Sequence, residues 1–197
     1  MTQSCGTSRI VGFRFSLYPM TDEFVDIILS TLEQVDTSKV WVKTDDISTV
    51  IRGKMEHVFD VAKAIYLLSA QTEKHVVLNG TFSIGCPGDS DGDVFMSADG
   101  VRMNEDKIKN LHIEAPTQFA LYPMNNESYM QIIADVVDLA KEKGTFTSGI
   151  HYASRLDGDA HDVFATLEQS FHYTQEKVNH VTMTVNISAN SPSRKNK

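Results

Sequence analysis

Few side chains in this sequence stand at spacings that catalysis would need. His151, Asp157, Asp159, His161 and Asp162 form the densest acid–base cluster. Two imidazoles and three carboxylates so close together could move a proton or hold a metal. Asp157-Gly158-Asp159 is also a natural turn and helix cap, and that structural role is the expected one. Asp89-Ser90-Asp91-Gly92-Asp93 has the composition of a calcium loop. Its glycine stands two places early and its twelfth position is Gly100 rather than glutamate, so a solvated acidic turn is expected. No G-x-S-x-G elbow, phosphate-binding loop, G-x-G-x-x-G fingerprint or H-E-x-x-H motif occurs. Cys5 and Cys86 form no metal-ligand pair. The expectation is a protein without catalytic residues, metal or cofactor, and not an enzyme.

Thr49 and Ser154 offer a different chemistry, that of a binding pocket. They are equivalent positions of an internal repeat. Phe15-Ser16-Leu17-Tyr18-Pro19-Met20 returns as Phe119-Ala120-Leu121-Tyr122-Pro123-Met124, 104 residues on, with five identities in six. Farther along the offset is 105, and residues 48–53 align with 153–158 and residues 75–85 with 180–190. Alternation along a strand sets Thr49 beside Ile47 and Ile51, and Ser154 beside Tyr152 and Leu156, on an apolar face. A hydroxyl there must find a partner, either a nearby carbonyl or a ligand. Phe15 and Leu17 would share the first pocket, Phe119 and Leu121 the second. Aromatic walls with one hydroxyl suit a flat heteroaromatic molecule.

The elements that would hold these residues follow from periodicity. Residues 10–18 read as a strand, residues 24–35 as an amphipathic helix capped by Thr21 or Asp22, and residues 40–43 and 47–53 as a strand pair. A second helix runs through Val58, Phe59, Val61, Ala62, Ile65 and Leu68, and residues 75–85 form a last strand. The second half repeats this order, with strands near 114–122, 145–150, 152–158 and 180–189 and helices near 126–143 and 160–177. The fold class is α+β, built from tandem ferredoxin-like βαββαβ repeats, with two helices on one face of each antiparallel sheet. Residues 1–85 and 113–197 are the two repeats, and residues 86–112 link them. Trp41 and Phe146 are equivalent and expected in the core. The other sheet face is rich in hydroxyls and amides, including Arg14 and Gln118, which predicts sheet-to-sheet packing between repeats or between subunits.

The 197 residues carry a net charge of −8 and a pI near 5.3, which excludes a general nucleic-acid binder but tolerates a cationic small ligand. Hydrophobic residues make up 41%, enough for a packed core. No run reaches the length of a membrane span, and residues 1–9 lack the apolar stretch of a signal peptide. Two cysteines provide no disulfide framework. A cytoplasmic setting is expected.

Cys5-Gly6-Thr7-Ser8-Arg9-Ile10-Val11-Gly12-Phe13-Arg14 and the strand that follows it resemble the YkoF family of bacilli. So do Asn79-Gly80-Thr81-Phe82-Ser83-Ile84-Gly85-Cys86-Pro87-Gly88-Asp89, His151-Tyr152-Ala153-Ser154 and the closing Ser188-Ala189-Asn190-Ser191-Pro192. The resemblance spans essentially the whole chain. It implies a non-catalytic binder of thiamine and its hydroxymethylpyrimidine moiety, a homodimer, and an association with a transporter for the pyrimidine precursor in vitamin B1 salvage. It also implies ligand contacts at Leu17 and Thr49, and through the repeat at Leu121 and Ser154. The second unit departs from the first at Thr117 for Phe13, Ala120 for Ser16 and Arg155 for Val50, so the two pockets should differ. The aminopyrimidine would lie between sheet and helices, bonding Thr49 and main chain near Leu17. The alternatives are a regulatory module for another small metabolite, a scaffold that docks on a transporter, and a pyrimidine-processing enzyme using His151, His161 and Asp162.

Overall fold

The structure, a computed structural model, describes residues 9–85 and 93–193. Cys5 and Cys86, most of the Asp89–Asp93 acidic turn, the polar amino terminus and the last basic residues lie outside them. β1 (Val11–Pro19) alternates buried and open residues along its length, as a strand with one covered face must. It leads to α1 (Phe24–Gln34), β2 (Val40–Thr44), β3 (Thr49–Gly53), α2 (Met55–Ala70) and β4 (Val76–Ile84). The second repeat has β5 (Thr117–Pro123), α4 (Tyr129–Glu142), β6 (Phe146–Ile150), β7 (Ala153–Leu156), α5 (Ala160–Lys177) and β8 (Val181–Ala189). Between them lie a 3₁₀ helix (Asp93–Ser97) and the short α3 (Glu105–Ile108). This is the duplicated βαββαβ order read from the sequence. The cap of α1 differs: Glu23 occupies it without a side-chain bond, and Thr21 Oγ1 accepts from the Glu23 N–H at 3.4 Å.

All eight strands form one antiparallel sheet in the order β2-β3-β1-β4-β8-β5-β7-β6. The repeats therefore do not stack face to face within the chain. They join edge to edge, with β4 paired to β8 from Val76↔Ala189 to Ile84↔Val181. Each last strand would otherwise be an exposed edge of unpaired amides, and the ladder satisfies both. The helices cover one face in the row α1, α2, α5, α4. The inner helix α2 is buried almost throughout, His57, Asp60 and Lys63 included.

The other face carries Arg14, Asn79, Thr81, Gln118, Thr184 and Asn186. Asn79 Nδ2 donates to Asn186 Oδ1 across the junction. Trp41 pairs with Arg52 and sits half-buried on this face, away from the helices, whereas its equivalent Phe146 packs against the core. The expectation of a core tryptophan is thus corrected: β2 places Val40, not Trp41, toward the helices.

Under the helices, Phe15, Phe13, Phe82 and Phe59 form a run of stacked rings, with centroids 5.1, 4.0 and 4.2 Å apart in succession. Gly80 makes the run possible. A Cβ there would collide with the Phe13 ring and approach Arg14 O to 2.7 Å. The second repeat has Val185 at the place of Gly80 and Thr117 at the place of Phe13, exchanging large for small on neighbouring strands. Thr117 Oγ1 donates to Ala115 O at 2.8 Å, which accounts for its buried hydroxyl.

Residues 93–108 form a strap across α2. Asp60 Oδ2 accepts from the N–H groups of Met103 and Asn104 at 3.1 and 3.0 Å, and from Asn104 Nδ2 at 2.8 Å. Arg102 grips both Glu168 oxygens at 2.8 Å, tying the strap to α5. Burial pushes the Glu168 carboxyl above the ordinary glutamate value, and Arg102 pulls it partly back.

Two outcomes are expected. Gly80→Ala should lower stability by about 1–3 kcal/mol in urea denaturation, through overpacking against Phe13. Arg102→Met should cost about 1–3 kcal/mol at neutral pH, less than a fully buried pair because both side chains keep some solvent. That cost has a definite sign with pH. Without Arg102 the folded-state value of Glu168 rises further, so the penalty exists above it and fades as pH falls toward 4.5, the ordinary glutamate value. Denaturation from pH 7 to pH 4 checks this, and a pH-independent deficit would contradict it.

Candidate ligand-binding site

Both repeats leave one edge of their first strand bare. β3 pairs with β1 only as far as Phe15↔Thr49, and β7 with β5 only as far as Phe119↔Ser154. β1 and β5 run four residues farther, to Pro19 and Pro123. The direction of their main-chain groups follows from the ladder. Met20 N–H donates to His75 O at 2.8 Å, and Met124 N–H to His180 O at 2.9 Å, both toward the junction strands. Main-chain groups alternate sides along an antiparallel strand. Leu17 and Leu121 therefore turn their N–H and C=O the other way, where β3 and β7 have ended. Each leucine presents one donor and one acceptor side by side, while its side chain stays buried under the helices.

In the second repeat a cavity of about 500 Å³ lies over this edge, between β5 and α4. Phe119, Leu121 and Ser154 all line it, as the repeat implied, together with Val136 of α4 and Tyr129 and Tyr152 at its mouth. No charged side chain lines it. The Ser154 hydroxyl makes no hydrogen bond among the described residues. Its cross-strand neighbour is Gly149, which has no side chain to offer.

The first repeat brings Phe15, Leu17 and Thr49 together in the same arrangement, at 4%, 9% and 8% exposure. Here Thr44 stands opposite Thr49, and their hydroxyl oxygens lie 2.9 Å apart in a hydrogen bond. The bland expectation for Thr49, a bond to a carbonyl, gives way to a bond to another hydroxyl. The burial pattern aligns α1 with α4 so that Thr31 occupies the place of Val136. Thr31 is buried, and its hydroxyl has no hydrogen bond among the described residues. Sequence reasoning missed Thr31 and Thr44. The signal for Thr31 was a lone polar residue on the apolar stripe of α1.

Ile47 and Tyr152 were expected on the apolar face but lie at the hairpin tips, 80% and 99% exposed. β3 and β7 begin only at Thr49 and Ala153, so strand alternation does not reach them. The first hairpin is held by Asp45, whose Oδ1 accepts from the N–H groups of Ile47 and Ser48 at 2.9 Å. Those bonds, with Arg14 nearby, keep the Asp45 carboxyl below the usual aspartate range. No such carboxylate holds the second hairpin, where Tyr152 takes a left-handed φ of 66°.

The acid–base cluster does not converge. Asp157 pairs with Arg155 at 2.7 Å, and Asp159 caps α5 by accepting from His161 N–H at 2.9 Å. Asp159 also accepts from His112 Nδ1 at 3.1 Å, while His151 sits at the hairpin beside Tyr152. Among the described residues no group of three or more His, Cys, Asp or Glu could hold a metal ion.

A family model described as "YKOF-related Family" matches residues 10–89 and again residues 114–194. A curated relative, the "Putative HMP/thiamine-binding protein YkoF" of Bacillus subtilis (strain 168), is 64% identical over 197 residues, covering 100% of this chain and 98% of that protein.

The two hydroxyls differ in what their removal should do to the empty protein. Ser154→Ala should leave the urea midpoint unchanged, because that hydroxyl has no partner. Thr49→Val should lower stability by about 0.5–1 kcal/mol through loss of the bond to Thr44. Equal losses in the two variants would contradict the assignment.

Proposed function

Since the chain belongs to the YkoF-related family, we propose that it binds hydroxymethylpyrimidine and thiamine without transforming them, with one pocket in each repeat. One observation carries this reading: an uncharged aromatic cavity lies over the bare Leu121 main-chain edge, with the Ser154 hydroxyl unpartnered beside it. A 4-aminopyrimidine presents an amino donor next to a ring-nitrogen acceptor. That pair matches the C=O and N–H of one strand residue, here Leu121 and by the repeat Leu17. Ser154 or Thr49 then reaches the ring from the side, and Phe119 or Phe15 supplies apolar contact. The absence of charge around the second cavity disfavours a phosphorylated ligand, whose dianion would find no counter-charge.

The uptake or salvage role comes with the family reading. No described helix is long and apolar enough to cross a membrane. In this proposal the protein works on the cytoplasmic side, after the ligand has crossed, beside a transporter for the precursor. The homodimer uses the helix-free sheet face. Its hydroxyls and amides face a second copy, and its arginines are partly neutralised in place, Arg14 against Asp45 and Arg155 against Asp157.

Isothermal calorimetry tests the ligand assignment. Hydroxymethylpyrimidine should bind at micromolar concentration, about −8 kcal/mol, with two sites per chain. Ser154→Ala and Thr49→Val should each weaken one site, by about two- to tenfold for a lost hydrogen bond. No heat and no thermal shift with either pyrimidine or thiamine would remove the reading.

A further inference from the structure

The two pockets share a floor but not a rim. In the second repeat, Tyr122, Tyr129 and Tyr152 come from β5, the start of α4 and the β6–β7 hairpin, and all three line the cavity. They are 47%, 48% and 99% exposed. None of their hydroxyls makes a hydrogen bond among the described residues, so each offers its hydroxyl as well as its ring. The equivalent residues of the first repeat are Tyr18, Phe24 and Ile47. The largest difference is therefore at the hairpin tip, where the first repeat has an aliphatic residue and the second a phenol ring.

Tyr152 has a second peculiarity. Its φ of 66° lies in a region that glycine or asparagine usually fills and that bulky side chains avoid. Strain of this kind persists where a side chain must be held in a particular place. The ring is two residues from Ser154, on the same hairpin. A ligand ring resting on Leu121 and Ser154 would send any substituent out past Tyr152.

From this arrangement we propose that Tyr152, with Tyr129 also lining the cavity, is a specificity-determining residue that selects cationic ligands at the second pocket. The inference rests on the pyrimidine-binding reading above and adds a ligand class to it. In thiamine one methylene joins the aminopyrimidine to a thiazolium ring, which carries a fixed positive charge. With the pyrimidine on the cavity floor, that cation would stand at the mouth, where the tyrosines lie. The negative face of an aromatic ring attracts a cation even at an exposed site, though less strongly than where water is excluded, and no charged side chain among the described residues lines this cavity. The first pocket, with Ile47 at the tip, lacks this contact. The second pocket should therefore discriminate more strongly between thiamine and its neutral hydroxymethylpyrimidine part.

Calorimetry on the full chain with both ligands tests it. Tyr152→Ala and Tyr152→Ile should weaken thiamine at one of its two sites by about two- to fivefold, within the range of a cation–π contact at an exposed site. Hydroxymethylpyrimidine should bind those variants as it binds the wild type, and Tyr152→Phe should keep the thiamine affinity. An unchanged thiamine affinity in Tyr152→Ala overturns the proposal, and so does an equal loss for both ligands, which would mark a general lid. A wild type that binds neither ligand removes the pyrimidine reading, and this proposal with it. A wild type that binds both, with variants that lose neither, removes this proposal alone. The side chain is fully exposed, so unfolding of the variants is not expected, and their thermal midpoints check it.

Discussion

The pairing of β4 with β8 is the contact on which the rest of the molecule depends. Nine residues on each strand meet in register, from Val76↔Ala189 to Ile84↔Val181. A ferredoxin-like repeat alone ends in an edge strand, and its two helices cover only its own four strands. Joining two such edges removes both and makes one sheet. It also brings α2 and α5 together in the middle, where each finds a second helix to pack against. This is why α2 can bury His57, Asp60 and Lys63: the neighbouring repeat and the strap close over it. The same junction directs the bare edges beyond Phe15 and Phe119 away from each other, toward the outer strands. Two bare strand edges at opposite ends follow from one ladder in the centre.

Duplication then left room for divergence wherever the repeats do not need to match. The junction itself keeps strict alternation in both strands. Away from it, volumes have been exchanged: Phe13 over Gly80 in one half, Thr117 beside Val185 in the other. The exchange keeps the core full but changes what supports the pocket wall. Phe15 is braced by the Phe13 ring at 5.1 Å, whereas Phe119 has a threonine in that place. The hairpins have diverged more. Asp45 ties down the first through two N–H groups, and the second holds a strained tyrosine instead.

Much of the fold was legible because its signals are local. The repeated Leu-Tyr-Pro-Met block, the alternation in the last strands and the apolar stripes of the helices each report one element directly. Repeat spacing and family resemblance both lead to Leu17, Thr49, Leu121 and Ser154, and the structure brings the two residues of each repeat to one place. What escaped the sequence depends on contacts between elements. Edge-to-edge joining and face-to-face stacking leave the same alternating pattern in β4 and β8, so the pattern could not choose between them. Thr44 became relevant only through its register with Thr49, and Gly149 only through its register with Ser154. Ile47 and Tyr152 were misplaced because strand alternation was carried past the point where β3 and β7 begin.

That register also explains why two nearly identical hydroxyls are not equivalent binding groups. A hydroxyl has one proton to give and two lone pairs to offer. Thr49 has already committed one of these to Thr44, in a bond whose direction can reverse. That oxygen is held in place with part of its capacity spent, while its proton can still turn toward or away from Thr44. Ser154 has committed none, so a ligand meets its full capacity but must also stop its rotation. The first arrangement is stiffer and less adaptable, the second looser and more open. Ser154 is only half-buried, so solvent can meet its unpartnered hydroxyl, whereas Thr31 of the first repeat is a buried residue whose hydroxyl has no partner among the described residues. Each repeat thus keeps one hydroxyl here without a partner among the described residues, Thr31 in the first and Ser154 in the second, and the second repeat adds an uncharged cavity rimmed by tyrosines.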